Sequence, residues 1–218
     1  MDQIHPGVFA DHDRLYTENR VPGETVYGEE LVAEQGIEYR RWDPHRSKAA
    51  AALTKDLEAF PVEQDSYVLY LGASTGTTVS HFSDITADGM VYAVEYAPAV
   101  ARQLVVLADT RDNIAPVIGD ARTPDDYAPL CSTVDVLYQD VAQRDQVGIL
   151  ERNADMFLRD GGHAFLAIKA QSVSSEKPPE TVFDEAKQQL QDSFDIIAGR
   201  KLSPFHEDHL FLVLQKTG

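Results

Sequence analysis

The sequence predicts an α/β fold: a mostly parallel seven-stranded sheet with its last strand reversed, behind a small β-rich part over residues 1–42. Three observations predict it. Short apolar runs recur from Tyr67 onward, most of them separated by stretches of helical periodicity, as strands buried on both faces of a parallel sheet require. The last two runs are joined by a loop of about a dozen residues with no helical periodicity, so the final strand is antiparallel, because a parallel partner usually needs a helical crossover. Residues 1–42 carry short β segments and turn signals in place of helices.

In chain order, Arg14-Leu15-Tyr16, Thr25-Val26-Tyr27 and Glu38-Tyr39-Arg40 are the expected N-terminal strands, with Pro22-Gly23 as a turn. The second unit, 43–218, opens on Asp43-Pro44, which has the form of an N-cap followed by proline at the first helical position. Leu53, Leu57 and Phe60 recur at helical spacing, extending that helix to residue 60. Residues 67–71 form a compact apolar strand, and Gly72 to Gly76 make a tight loop that opens another helix. Strands follow at 90–94, 114–118, 134–138 and 164–168, then a helix at 181–194 and strands at 195–198 and 210–214, with Pro204 in the loop between them.

A chain of 218 residues buries enough apolar surface to need no metal or disulfide staple. Cys131 is the only cysteine, which suits a reducing compartment. Residues 1–13 lack the basic-then-apolar pattern of a secretion signal, and no apolar run approaches the ~20 residues that span a bilayer. A cytoplasmic protein without a membrane partner is therefore expected. The charge is unusual: 36 Asp and Glu against 19 Lys and Arg give −17, spread along the chain with no polyacidic block. Such a surface suits a very salty cytoplasm, where screening tolerates high net charge. Without that context it argues against a nucleic-acid substrate.

Open α/β sheets bind ligands beyond the carboxyl ends of their strands. The first ends in Gly72-Ala73-Ser74-Thr75-Gly76-Thr77-Thr78, the second in Glu95-Tyr96, the third in Gly119-Asp120-Ala121 and the fourth in Gln139-Asp140-Val141-Ala142-Gln143. Glycines allow close backbone approach, and a helix N-terminus offers free N–H groups. A carboxylate about twenty residues after such a loop, here Glu95, can accept both ribose hydroxyls of an adenosine cofactor. Asp120 can accept from an adenine amino group. Taken singly, the loop reads as a structural turn and each acid as a solvated loop residue; four polar termini at consecutive strand ends point together to a cofactor cleft. A nicotinamide site prefers Gly-x-Gly-x-x-Gly, absent here, whereas a seven-stranded sheet with a reversed last strand is similar to the S-adenosylmethionine (SAM)-dependent methyltransferase fold. Lys169 directly follows an apolar strand, where burial would penalise its charge. Lys48, early in the first helix, and His209, at the start of the final strand, complete a candidate set with Asp140, although alone they read as a solvated lysine and a structural histidine.

These residues fall in a known pattern. The run Tyr70 to His81 with Ser83-Asp84-Ile85 resembles the fibrillarin signature, as do Arg46-Ser47-Lys48-Ala49-Ala50, Asp140-Val141-Ala142-Gln143, Ala167-Ile168-Lys169-Ala170 and Asp208-His209. Order and spacing match over essentially the whole chain, and the β-rich start is similar to that of archaeal members, without the glycine-rich eukaryotic arm. Two departures are Ala73-Ser74-Thr75 in the loop and Phe205-His206 where a tyrosine-containing stretch is commoner.

The resemblance implies an RNA ribose 2′-O-methyltransferase, the catalytic subunit of a box C/D guide ribonucleoprotein acting on rRNA and tRNA. It implies a Nop-domain scaffold protein, a kink-turn-binding protein and a guide RNA as partners. By resemblance the catalytic set is Lys48, Asp140, Lys169 and His209, and the SAM contacts are Thr77, Thr78, Glu95, Tyr96, Asp120, Ala121 and Asp140 to Gln143, beside Gly72. The chemistry is consistent: a ribose hydroxyl is a poor nucleophile that must be aligned with the methyl donor and relieved of a proton. Lys169, its pKa lowered by neighbouring Lys48, is the expected base, oriented by Asp140, while His209 holds the ribose or relays the proton. Arg40, Arg41, Arg46 and Lys48 are expected to form a local basic patch around Trp42, whose own role is packing or stacking. A small-molecule methyltransferase, a SAM-binding subunit without turnover and a protein methylase are the rival readings.

Overall fold

The computed structural model describes all 218 residues as two sheets that share a core. Strands β1 (Asp2–His5), β2 (Val8–Asp11), β3 (Arg14–Glu18), β4 (Leu31–Glu34) and β5 (Ile37–Trp42) form an antiparallel sheet in the order β1-β2-β3-β5-β4. The expected segments at Arg14 and Glu38 lie in β3 and β5. No strand forms over Thr25-Val26-Tyr27: the amides of Val26 and Tyr27 donate to the Glu29 carboxylate, so a side chain satisfies donors that a sheet partner would otherwise take. The turn before it is present, with Gly23 at φ +83° and Glu24 N–H bonded to the Val21 carbonyl.

Helix α1 spans Lys48–Thr54, not 43–60. Ser47 is the N-cap, its Oγ accepting from Ala50 N, while Asp43 accepts from His45 N and closes a separate turn. The helix stops where Asp56 takes φ +58° and Leu57 N–H returns to the Ala52 carbonyl. Leu57 and Phe60 are buried from the extended chain beyond, so their helical spacing reflects a shared core and not a shared helix.

The second sheet has seven strands: β6 (Tyr67–Leu71), β7 (Met90–Glu95), β8 (Ile114–Ile118), β9 (Val134–Gln139), β10 (Leu158–Lys169), β11 (Phe194–Lys201) and β12 (His209–Lys216). Their order is β11-β12-β10-β9-β6-β7-β8, with β12 antiparallel to both neighbours and the other registers parallel. The crossovers are α2 (Thr77–Ile85), α3 (Pro98–Ala108), two 3₁₀ turns, α4 (Gln146–Phe157), then α5 (Ala170–Val173) with α6 (Pro179–Leu190). This is the expected SAM-dependent methyltransferase arrangement, including the reversed last strand. No helix is long and apolar enough to cross a membrane.

Alternate side chains of the central strands enter opposite layers. Val68 and Tyr70 pack with α1, α2, Trp42 and the N-terminal sheet residues Val8 and Leu15, whereas Leu69 and Leu71 pack with α4 and α6. Tyr70 and Tyr138 stack at 4.3 Å in the first layer, flanked by Phe82, Phe165 and Phe211. The carboxyl ends of β6, β7, β8 and β9 consequently open side by side at one edge.

Candidate active site

A cleft of about 320 Å³ lies at that edge, lined by Gly72, Glu95, Tyr96, Asp120, Ala121 and Asp140 to Gln143 among others. Gly72 holds φ +84°, and a Cβ there would collide with the Asp140 carbonyl oxygen. The glycine is thus required by contact between the β6 and β9 loops, a closer constraint than approach to a ligand. Gly76, at φ +93°, caps α2 against Leu107. Thr77 and Thr78 begin α2 behind the loop; Thr78 Oγ1 donates to Ser47 Oγ at 3.1 Å, tying the loop to the start of α1.

Each oxygen of Glu95 accepts one backbone amide, Ser74 N and Ala97 N, both at 2.8 Å. A carboxylate has about four lone-pair sites, so two remain for a vicinal diol. Asp120 is gripped by the guanidinium and amide of Arg122, which hold its carboxyl below the ordinary range. An adenine amino group must therefore share Asp120 with Arg122, which also lines the cleft. Tyr96, 68% exposed, offers a free ring face at the rim.

The four expected catalytic residues converge beside this cleft. Lys48 Nζ meets Asp140 Oδ2 at 2.6 Å, and Lys169 is the cross-strand neighbour of His209. The hydrogen bond that Asp140 makes here is to Lys48 and not to Lys169, which it was expected to orient. His209 Nδ1 lies 2.6 Å from the Glu207 carbonyl, so Nδ1 carries the hydrogen and donates, leaving the Nε2 lone pair free. Burial, with the Lys48 and Lys169 charges, holds His209 below its ordinary pKa, against the Glu207 bond and Asp140. The ring is therefore neutral near pH 7.

Two residues escaped the sequence reading. Gln146 is buried; its carbonyl accepts from Gln139 Nε2 at 2.6 Å and its Oε1 from Lys169 N at 3.3 Å, fixing the 140–146 loop against β10. His206 Nε2 donates to the Pro44 carbonyl at 2.9 Å while Phe205 packs edge-on against His45, clasping the 43–46 turn to the loop before His209. The only signal for His206 was its departure from the commoner tyrosine-containing stretch.

Arg40 corrects the expected basic patch. Its side chain is 0% exposed, bound to Glu29, Asp84 and Ser80. Trp42 is fully buried and stacked on His81 at 5.0 Å, which settles its role as packing. Arg41, Arg46 and Lys48 remain near the surface.

A family profile described as Fibrillarin matches residues 1–217. The fibrillarin-like rRNA/tRNA 2′-O-methyltransferase of Thermococcus sibiricus is 43% identical over 217 residues, covering 97% of this chain and 96% of that protein. The structure of Aeropyrum pernix fibrillarin with natively bound S-adenosyl-L-methionine is 45% identical with a TM-score of 0.86, over 92% of this chain and 88% of that one. A fibrillarin/Nop5p complex contains a chain 37% identical with a TM-score of 0.91, over 99% of this chain and 100% of that one.

Proposed function

The chain belongs to the fibrillarin family, and from that premise we propose that it is the SAM-dependent enzyme that methylates ribose 2′-hydroxyls of rRNA and tRNA inside a box C/D guide ribonucleoprotein. The observation that carries the reading is Asp140, which lines the cofactor cleft and is also ion-paired to Lys48 of the reacting cluster. Cofactor site and acceptor site therefore meet at one side chain. That continuity favours transfer chemistry over a subunit that only holds SAM.

The cleft fits the cofactor: Glu95, in no ion pair, has acceptor sites to spare for the ribose diol. When bound, SAM supplies an activated methyl group. Glu95→Ala removes hydrogen bonds to a charged acceptor, worth roughly 1.5–3 kcal/mol, so SAM affinity should fall roughly ten- to a hundredfold. Calorimetry on Glu95→Ala reads this directly, and unchanged affinity removes Glu95 from the site.

On the acceptor side, the Lys169–His209 pair removes the hydroxyl proton as the oxygen bonds to the methyl carbon and the carbon–sulfur bond breaks. His209 Nε2 is the lone pair that the hydrogen-bonding pattern leaves free. Lys48 holds Asp140 between the two subsites, and Gln146 fixes the loop that carries Asp140 beside Lys169.

The partners proposed are a Nop-domain scaffold protein, a kink-turn-binding protein and a guide RNA, in a cytoplasm of high salt. The single cysteine, which has no partner for an intrachain disulfide, suits a reducing setting. A chain of charge −17 is repelled by a polyanion at low salt, and screening weakens its phosphate contacts at high salt. Tethering by a scaffold overcomes both, because effective concentrations reach roughly the millimolar range. Single-turnover methylation should accordingly be near zero for the lone chain and strong in the assembled complex, persisting in molar salt. Efficient methylation of free RNA by the lone chain, without a guide, overturns this reading.

A further inference from the structure

We propose that the pocket between β5 and α1 binds a phosphate of the RNA strand being methylated, through the paired guanidinium groups of Arg41 and Arg46. The inference rests on RNA being the substrate and adds to it a defined phosphate site on the N-terminal sheet.

The pocket is about 370 Å³, and both arginines line it together with Glu29, Glu30 and Asp43. Neither Arg41 nor Arg46 forms a salt bridge or a side-chain hydrogen bond, in a chain where acids outnumber bases almost two to one. The other arginines of the N-terminal part are all paired: Arg14 with Glu30, Arg20 with Asp112, and Arg40 with Glu29 and Asp84. The acids of the pocket are engaged as well. Glu29 is buried and takes the Val26 and Tyr27 amides along with Arg40, Glu30 takes Arg14, and Asp43 takes the His45 amide. Two unpaired forks therefore line this pocket, where Glu29 and Glu30 are each paired with another arginine and Asp43 has no cationic partner.

Planar guanidinium groups match phosphate geometry and bind it bidentately. The frame around them is fixed. Tyr27 Oη donates to the Arg41 carbonyl, Arg46 N–H bonds to the Asp43 carbonyl, and the Pro44 carbonyl is held by His206. Arg46 stands two residues before Lys48, whose amine reaches Asp140, so the pocket adjoins the acceptor end of the cleft. On this proposal a strand that presents a ribose to Lys169 and His209 places a neighbouring phosphate in the pocket. The pocket thereby leaves a strongly acidic subunit two unpaired guanidinium groups to offer RNA.

The test uses the assembled guide complex and a labelled target strand, with binding followed by anisotropy across a salt series and methyl transfer followed separately. The double variant Arg41→Gln/Arg46→Gln should weaken target binding about tenfold or more. It should also lower the slope of log affinity against log salt by about one for each phosphate that is no longer neutralised. Arg41→Lys/Arg46→Lys, which keeps charge without the fork, should retain the slope and recover part of the affinity. SAM affinity, measured by calorimetry, should match wild type in both. Wild-type affinity and salt slope in the double glutamine variant overturn the proposal. So does a defect traced to failed scaffold binding without RNA, which would assign the pocket to an acidic protein segment. Because binding is read without turnover, a wild-type complex that binds RNA but transfers no methyl group contradicts the methylation reading and leaves the pocket standing.

Discussion

Replacing Lys169 with alanine should give a folded, SAM-binding protein whose methyl transfer in the guide complex is slower by roughly 10²–10⁴-fold, the usual worth of a positioned proton-transfer group. The fold should survive because the side chain is exposed, whereas the strand is anchored by buried Ile168 and by the backbone bond from Lys169 N to Gln146, which the substitution keeps. SAM binding should survive because Lys169 does not line the cofactor cleft. Lys169→Arg separates charge from proton transfer. An arginine supplies the positive charge but stays protonated, so it should be nearly as slow as alanine if the amine moves a proton and substantially active if only charge matters. His209 adds a pH signature. Its folded pKa is below the ordinary value, so the His209 contribution to the single-turnover rate should be lost as pH drops below about 6.5. Near-normal turnover by folded Lys169→Ala removes this lysine from the reaction.

Much of the catalytic sheet was legible because its central strands are buried on both faces. A run such as Tyr67 to Leu71 has nothing polar to blur its ends, and the strands expected at 67–71 and 114–118 coincide with β6 and β8. The N-terminal sheet was harder. β1, β2 and β4 have only four residues each and are partly exposed, so neither alternation nor length distinguished them from turns. Thr25-Val26-Tyr27 had strand composition, but its amides were claimed by Glu29, a partner that no periodicity reveals. Asp43-Pro44 had the form of a helix start, yet the cap four residues later at Ser47 prevailed, because Asp43 spent its carboxylate on its own turn.

The site was legible wherever one residue type at one strand end sufficed. Glu95, Asp120, Asp140, Lys169 and His209 all stand at ends of strands in the parallel-sheet unit, and topology alone brings them to one edge. What composition could not show was which charges neutralise each other across the fold. Arg40 and Arg41 are adjacent in sequence on β5 and project to opposite faces, as a strand demands. One is sealed against α2, and the other opens to solvent beside Arg46. Lys48 was expected to press on Lys169 but is held by Asp140, ninety-two residues away.

The same buried arginine sets up the largest stability effect expected here, at Asp84. This carboxylate is fully buried on α2 and accepts from Thr17 Oγ1 and Arg40 Nη1 at 2.8 Å, and from Arg111 Nη1 at 2.5 Å. It is the only carboxylate paired with Arg111, whose pKa burial and Arg40 lower while Asp84 supports it. Asp84→Asn keeps the volume and removes the charge. Arg40 would then keep Glu29 alone, Arg111 would have no carboxylate partner, and one amide proton would face donors. Removing one partner of a buried ion pair costs about 3–5 kcal/mol, a large share of the ~5–15 kcal/mol that holds a domain together. The melting temperature should drop by something of order 10 °C. Acid should expose the same network in the wild type. His81, buried among Thr17, Tyr27, Trp42, Arg40 and Arg111, has its pKa held well below the ordinary value, first by burial and then by the two arginines. The unfolded chain therefore binds a proton there that the folded chain refuses. Stability from this group is complete above about pH 6.5 and is lost as pH falls below it. Because Ser80, His81 and Asp84 all lie on α2, the helix that Gly76 opens from the cofactor loop, Asp84→Asn should also weaken SAM binding at temperatures where the protein remains folded. Thermal melts with and without SAM at pH 7.5 and 5.5 test both arms. A wild-type melting temperature in the asparagine variant would show that the four charges contribute little to holding the N-terminal sheet on the catalytic one.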